Sequence, residues 1–454
     1  MTRQQRIVLV VCILASFVAF LDGSVVNVAL PAIMKDLGGG LSVQQWVVDA
    51  YLISLGSLIL IAGSLSDLFG RKKVLLAGLI GFALTSIMCA IAPSSGFLIA
   101  GRALQGVAGA LLVPSSLALI MSTFSGSKQG KAIGTWTAWT GISFIVGPLL
   151  GGFLVDSVSW RLIFAINLLP IAVTLWLLRL IEQPERIESG TKIDTLGAIL
   201  CSIGLASSVF ALIEQPSHSW GDPLIYLSLV AGLVLLVAFI GYESKNTHAM
   251  LPLSLFKRRN FSVGNVATAA IYGGLSMSTF IIVIFLQQVS GYSAFEAGLS
   301  LIPITIIMFL LSPRFGALAG RYGPRFFMSV GPMIAGLGFL LLLWRVQNHA
   351  VYLSQLLPGL LAFGVGLSMT VAPLTAAILG DVDTRRAGIA SAINNAVSRI
   401  AGLLMVAVVG VIIGTHLNLS GFRHTLLVTA ILIIGGGIIS AIGIQNPDRP
   451  KSPL

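Results

Sequence analysis

Asp22 stands in "FVAFLDGSVVNVALP" (residues 17–31), a stretch whose flanking residues leave no place for water. Asp49 ("WVVDAYLIS") and Arg102 ("GRALQG") are similar anomalies, charged groups inside long apolar runs. An ionisable side chain at bilayer depth costs about 2.5–3.5 kcal/mol on insertion scales, which makes each a candidate functional group. Two carboxylates and a guanidinium in one layer can hold and release a proton. Apolar surroundings favour the protonated carboxyl and a nearby guanidinium favours the ionised one, so moving the guanidinium switches proton affinity. A proton-coupled pump needs that switch. The alternative is a buried ion pair that only fixes helix packing.

Nothing else in the chain competes as reactive chemistry. The five histidines (His218, His248, His349, His416, His424) fall in loops or at the ends of apolar runs, which argues against a histidine relay. Cys12, Cys89 and Cys201 all lie inside apolar runs, an odd set with no metal-ligand spacing. No Ser/His/Asp set, metal cluster or phosphate-cradling loop is present, so an enzyme, a cofactor and a metal site are not expected. Tyr51, Trp136, Trp139, Met277 and Phe280 could line an adaptable cavity: aromatic faces attract organic cations and Met repacks around varied shapes. Core packing or lipid contact is the plainer role for each of them.

The elements that must position these residues are membrane helices. The 454 residues are 56% hydrophobic and only 9% charged, against roughly 25% charged in soluble domains. The apolar runs are continuous rather than alternating, which selects helices over a barrel. Spans are expected near 7–31, 45–66, 73–93, 97–121, 130–154, 160–180, 194–214 and 222–242. Six more follow near 261–289, 293–313, 325–345, 350–379, 386–414 and 422–444. The basic "MTRQQR" precedes too long an apolar run, without a small-residue cleavage site, to read as a cleavable signal.

With both ends inside, 21 of the 27 Lys and Arg face the cytoplasm. Four lie opposite (Lys35, Arg161, Arg345, Arg423) and two within spans (Arg102, Arg399). This obeys the positive-inside rule, supports an even count of 14 spans, and explains the net charge of +11 without nucleic acid. Asp22 lies about 15 residues into span 1, roughly 22 Å along a helix, in the outer half. Asp49 and Arg102 enter from the outside and reach a similar depth.

"GSLSDLFGRK" (63–72), ending span 2, and "GALAGRYGPR" (316–325), following span 10, match at Gly63/Gly316, Leu65/Leu318 and Gly70/Gly323. This weak repeat suggests that spans 1–6 recur as spans 9–14, with spans 7 and 8 inserted. The expected organisation is a six-helix bundle over 1–185, two inserted helices over 186–255 and a second six-helix bundle over 256–454. Two such halves are the architecture of a secondary transporter, with its substrate site near the midplane. "GISFIVGPLLGG" (141–152) in span 5 carries Gly141, Gly147, Pro148, Gly151 and Gly152, suited to close helix packing or to a hinge.

Together these stretches resemble the major facilitator superfamily, and within it the 14-helix drug:proton antiporters. "LDGSVVNVALP" is similar to that subfamily's first-span motif, which puts Asp22 in the proton-carrying place. "GSLSDLFGRKK" resembles the superfamily's loop 2–3 signature, with Gly63, Asp67, Gly70, Arg71, Lys72 and Lys73 in register. "RALQGVAGA" resembles the span-4 motif around Arg102, and "GPLLGG" the antiporter motif of span 5. "WRLIFAIN" and "AGIASAINNAVSRIAG" fit as well. The resemblance implies that Asp67 helps a cytoplasmic loop lock one conformation. At the second-repeat position Gly320 replaces the acid, so the C-terminal half is expected to lack that lock. No acid lies deep in span 10, Glu296 being only at its outer entrance, which argues against tight binding of divalent cations. Asp49 looks like the span-2 acid of members that handle organic cations.

The expectation is a proton-driven antiporter that exports lipophilic, cationic drugs or toxic compounds, with protons and a small molecule as its partners. It should be a monomer in a bacterial inner membrane, with both termini cytoplasmic. An exporter of an endogenous metabolite, siderophore or lipid is the nearest alternative. A channel or receptor is a more distant one.

Overall fold

The computed structural model describes residues 1–181, 193–380, 382 and 386–446, with the backbone alone at Ser127 and Ala387. Among these residues 14 helices are long and apolar enough to cross a bilayer, and no strand occurs. Spans 1–8 are Arg3–Leu37, Gly40–Phe69, Arg71–Ala90, Ser95–Thr123, Lys128–Ser157, Leu162–Arg179, Thr195–His218 and Pro223–Glu243. Spans 9–14 are Arg259–Gln288, Ala294–Tyr322, Pro324–Arg345, Tyr352–Gly380, Gly388–Ile413 and Leu419–Gly443. The all-helical fold and its 14 spans are thus those expected from hydropathy.

Spans 1 and 10 extend beyond their expected ends at residues 31 and 313. Span 1 runs through Pro31 to Leu37, and span 10 through Pro313 to Tyr322. Inside a membrane, neighbouring helices can satisfy the carbonyl that proline frees, so a helix continues where one in water would end. Both repeat stretches therefore lie on the last turns of a helix. Each is closed by a glycine in the left-handed region: Gly70 has φ 94° and Gly323 φ 91°. Each joins two consecutive spans without an intervening loop, so the repeat seen in residue types is also a repeat of backbone conformation.

Capping fixes several helix ends at the aqueous faces. Thr2 Oγ1 accepts from Gln5 N–H (3.2 Å) while Gln5 Oε1 accepts from Thr2 N–H (3.1 Å), a reciprocal box at the start of span 1. Asp222 Oδ1 accepts from Leu224 N–H (2.9 Å), with Pro223 at the first helical position of span 8.

The chain forms two compact units. Unit 1 comprises Met1–Leu251, Thr279–Leu299 and Val406–Asn418, so it holds spans 1–8 with portions of spans 9, 10 and 13. Here span 4 packs against spans 2 and 3, and span 1 against spans 4, 5 and 6. A core of Leu75, Leu79, Phe82, Leu112 and Ile120 lies between them. Close approach depends on small residues, as expected where lipid is as apolar as leucine. A Cβ on Gly106 would strike the Tyr51 carbonyl oxygen and lie 2.9 Å from Ser54 Cβ. Unit 2 comprises Pro252–Ser278, Ser300–Met405 and Leu419–Leu454. In it span 11 packs against spans 12 and 14, and the Phe339 and Phe363 rings meet at 4.7 Å. The expected boundary between residues 185 and 186 lies outside the described residues.

Gly106→Val adds an isopropyl group where span 4 touches the backbone of span 2. It should destabilise the protein by roughly 1–3 kcal/mol. Gly241→Val, which faces open space, should have little effect. Thermal unfolding in detergent by intrinsic fluorescence tests the contrast.

Candidate functional site

Asp22 is fully buried and is the centre of a polar network inside unit 1. Arg102, 1% exposed, donates from one terminal nitrogen to Asp22 Oδ2 (2.5 Å) and to Gln105 Oε1 (2.6 Å). Gln105 Nε2 donates to Asp22 Oδ1 (3.1 Å), and Asn167 Nδ2 donates to the same oxygen (3.0 Å). Ser86 Oγ accepts from Gln105 (2.9 Å) and Asn167 (3.4 Å). Arg102 Nε donates to the Val47 carbonyl (3.0 Å), which ties the guanidinium to span 2. Its carbon lies 4.4 Å from the Tyr51 ring centre and 5.7 Å from that of Phe164. Spans 1, 2, 3, 4 and 6 thus all reach one charge pair. A buried pair is tolerable when hydrogen bonds occupy its remaining donors and lone pairs, and these neighbours bond both Asp22 oxygens and two of the three Arg102 nitrogens.

The structure brings Asp22 and Arg102 together as the sequence suggested, and adds Gln105, Asn167 and Ser86. Gln105 was within reach of sequence reasoning, since it follows Arg102 by three residues and so shares its helix face. Asn167 was not: 145 residues separate it from Asp22 and no local pattern joins them.

Asp49 is fully buried but outside this network, and neither of its carboxyl oxygens has a hydrogen-bond partner among the described residues. Gln45 and Trp46, four and three residues earlier, share its helix face. Gln45 Nε2 donates to the Val406 and Ala407 carbonyls of span 13 (2.7 and 3.0 Å), and Trp46 Nε1 to Glu214 of span 7 (2.8 Å).

The residues expected to line a cavity are dispersed. Tyr51, 2% exposed, lies beneath the Arg102 guanidinium. Trp136 is half-buried and donates from its indole to Ser16 Oγ (3.0 Å), whereas Trp139 is 54% exposed. Met277 in unit 2 and Phe280 in unit 1 are each closed off by packing.

Asp67 pairs with Arg71 one turn along (3.4 Å), both partly exposed, and Lys72 Nζ donates to the Ile181 carbonyl (2.7 Å). Gly63 has open space where a Cβ would stand, as has Gly320 in the second repeat. In that second repeat Asn446 Oδ1 accepts from Arg325 N–H (3.1 Å), and Arg325 Nε donates to the Ala441 carbonyl (2.8 Å). The end of span 14 therefore occupies this turn.

Span 5 breaks at Ile142, directly after Gly141. Beyond the break, a Cβ on Gly147 would strike Ser24 Oγ and one on Gly151 would meet Val25 and Val28 of span 1. A Cβ on Gly152 would lie 2.5 Å from Phe295 Cα, while the Pro148 carbonyl approaches Gly298. Asp156 adds polar contacts, accepting from the Ala294 (3.1 Å) and Phe295 (2.8 Å) N–H groups. Glycines and proline on span 5 thus let span 1 and the start of span 10 approach from two sides.

A 14-helix membrane fold around a buried charge pair defines a polytopic transporter architecture. The family model of the Major Facilitator Superfamily matches residues 12–406, and the chain belongs to that family, whose members are transporters rather than enzymes. The multidrug resistance protein Stp of Mycobacterium tuberculosis (strain ATCC 25618 / H37Rv) is 33% identical over 423 residues, 92% of this chain and 78% of that protein. The puromycin resistance protein pur8 of Streptomyces alboniger is 34% identical over 413 residues, 89% and 81% of the two chains. The tetracenomycin C resistance and export protein of Streptomyces glaucescens is 32% identical over 405 residues, 88% and 74%. Among solved structures, a peptide transporter POT in complex with sulfate matches the fold with a TM-score of 0.70 over 97% of both chains, at 15% identity.

Removing one partner of a desolvated pair leaves the other uncompensated, at about 3–5 kcal/mol. Arg102→Met should therefore lower the unfolding temperature markedly, and the double variant Asp22→Leu/Arg102→Met should recover most of the loss. Thermal unfolding of the purified variants provides the comparison.

Proposed function

We propose that the protein is a proton-coupled antiporter that exports lipophilic, cationic compounds by alternating access. The observation that carries this reading is the Asp22–Arg102 pair, fully desolvated and held by neutral donors. While Arg102 stays within hydrogen-bond reach, Asp22 is stable as a carboxylate. Any movement of span 4 that withdraws the guanidinium leaves a buried carboxylate that must take up a proton. Asp22 is then the proton carrier and Arg102 its switch. The family and the resistance and export names of its relatives support export as the direction of transport.

Asp49 takes a complementary role. A buried carboxylate without a partner is stable only when it carries a proton or meets a cation. It is the group through which a positively charged substrate gains affinity, with Tyr51, Trp136, Trp139, Met277 and Phe280 as apolar and aromatic surfaces exposed at other stages of the cycle. The Asp67–Arg71 turn and the span-5 glycines serve as gates, and the six-helix halves with two inserted helices are the moving bodies. The protein acts as a monomer in a bacterial inner membrane with both termini cytoplasmic. The tetracenomycin relative, named for both resistance and export, favours a second reading in which the physiological cargo is a metabolite made by the host cell.

In inverted vesicles energised with a proton gradient, wild-type protein should concentrate a lipophilic cation such as ethidium. Asp22→Asn should abolish uphill transport, and because it leaves Arg102 without its counter-charge it should also unfold at a lower temperature than the wild type while staying folded at the assay temperature. Full retention of uphill transport by that variant would remove Asp22 from the mechanism. Asp49→Asn should weaken transport of cationic substrates more than of neutral ones. An equal loss for both classes assigns Asp49 to proton coupling or packing instead.

A further inference from the structure

A second pair of acids lies where spans 7 and 8 end beside each other. Asp194 caps span 7, its Oδ1 accepting from Gly197 N–H (2.9 Å), and Glu243 is the last residue of span 8. They are 5% and 3% exposed. Both carboxyls converge over Gly197, where an added Cβ would lie 2.5 Å from Glu243 Oε1 and 2.7 Å from Asp194 Oδ2. Three further partners come from the segment that follows span 8. Asn246 Nδ2 donates to Asp194 Oδ2 (2.8 Å), Met250 N–H donates to Asp194, and Leu251 N–H donates to Glu243 Oε2 (2.7 Å).

Glu243 Oε1 receives no N–H or O–H donor from the described residues. The group within its reach is the Asp194 carboxyl, and two carboxyls can bond only through a proton. The titratable groups that face the pair are the Cys201 thiol of span 7, towards Glu243, and the Tyr242 hydroxyl of span 8, bonded to Asp194. Lys245 and His248 lie on the following segment and are exposed, and among the described residues neither acid forms an ion pair. Among the described residues nothing basic thus compensates two negative charges here.

We infer that Asp194 and Glu243 form a proton-binding site separate from Asp22, in which one shared proton latches residues 244–251 to the ends of spans 7 and 8. Glu243 carries the proton and donates it to Asp194. Burial opposes ionisation of Asp194, but bonds from Glu243, the Gly197 and Met250 N–H groups and Asn246 outweigh it and hold that carboxyl below the usual carboxylate range. The location gives the latch a consequence: Leu251 is the last residue of the first stretch of unit 1, and Pro252 is the first of unit 2. Loss of the proton to the adjacent aqueous face leaves two buried carboxylates in contact, which repel and release 244–251, the segment that leads into Pro252. The latched form binds one more proton than the released form, so the latch is closed at low pH and opens as pH rises.

Hydrogen exchange of the full-length protein in lipid nanodiscs, corrected for intrinsic exchange, reads this directly. Protection of 244–251 should fall about tenfold or more from about pH 6 to about pH 9 in the wild type. Glu243→Gln, whose amide donates to Asp194 without a proton to lose, should keep protection flat. Gly197→Ala should lower it at every pH, and Asp22→Asn should retain the wild-type profile. Infrared difference spectra of wild type against Glu243→Gln should show one protonated carboxyl lost. A flat wild-type profile, or a Glu243→Gln profile that follows the wild type, overturns the proposal whatever the infrared result.

Discussion

The Asp22–Arg102 pair sets the terms on which the first compact unit is built. Two charges fully removed from water are held 2.5 Å apart, and their neighbours are arranged to satisfy what the pair cannot satisfy itself. Gln105 both accepts from the guanidinium and donates to the carboxylate, so it bridges the two charges. Asn167 adds a second donor to Asp22, and the Val47 carbonyl takes the Arg102 Nε. In this environment the stability of a carboxylate depends on where the guanidinium stands, because no solvent can compensate its departure. Under the proposed mechanism this dependence is what would couple proton movement to a conformational cycle.

Packing around the pair follows from the same constraint. Span 4 must come close to span 2 for Arg102 to reach the Val47 carbonyl and the Tyr51 ring, and Gly106 permits it by exposing bare backbone to the Tyr51 carbonyl. Span 5 meets span 1 through Gly147 and Gly151, two residues and more beyond Asp22 on that helix. Ser24, which also bonds the Ser143 carbonyl (3.1 Å), lies at this contact. A displacement of span 5 therefore acts on span 1 beside its buried acid.

Much of this was legible in the residues. The 14 spans follow from apolar length, and Asp22 and Arg102 announce themselves because charge is rare and costly at that depth. The span-2 and span-10 turns were readable from matching glycines, and the positive φ at Gly70 and Gly323 gives the physical reason for that match. Spans 1 and 10 run past the expected ends at residues 31 and 313, because a membrane helix can continue through proline where one in water would end. Asn167 and Ser86 were invisible as partners of Asp22, since neutral polar residues recur throughout the spans and only the fold selects these two. Tyr51 had been assigned by type to a cavity, but its ring is occupied by Arg102. Side-chain type gave its chemistry, a cation-attracting face, without naming the cation.

Proton release on substrate addition reads the role of Asp22 directly. Detergent-purified protein in weakly buffered solution, at a pH where the substrate itself does not titrate, is mixed with a lipophilic cation while a pH indicator records the change. The wild type should release protons and Asp22→Asn none attributable to the carrier, with both proteins folded and the substrate bound. Equal release from the two proteins would contradict that role, and the coupling acid would then have to be sought elsewhere in the chain.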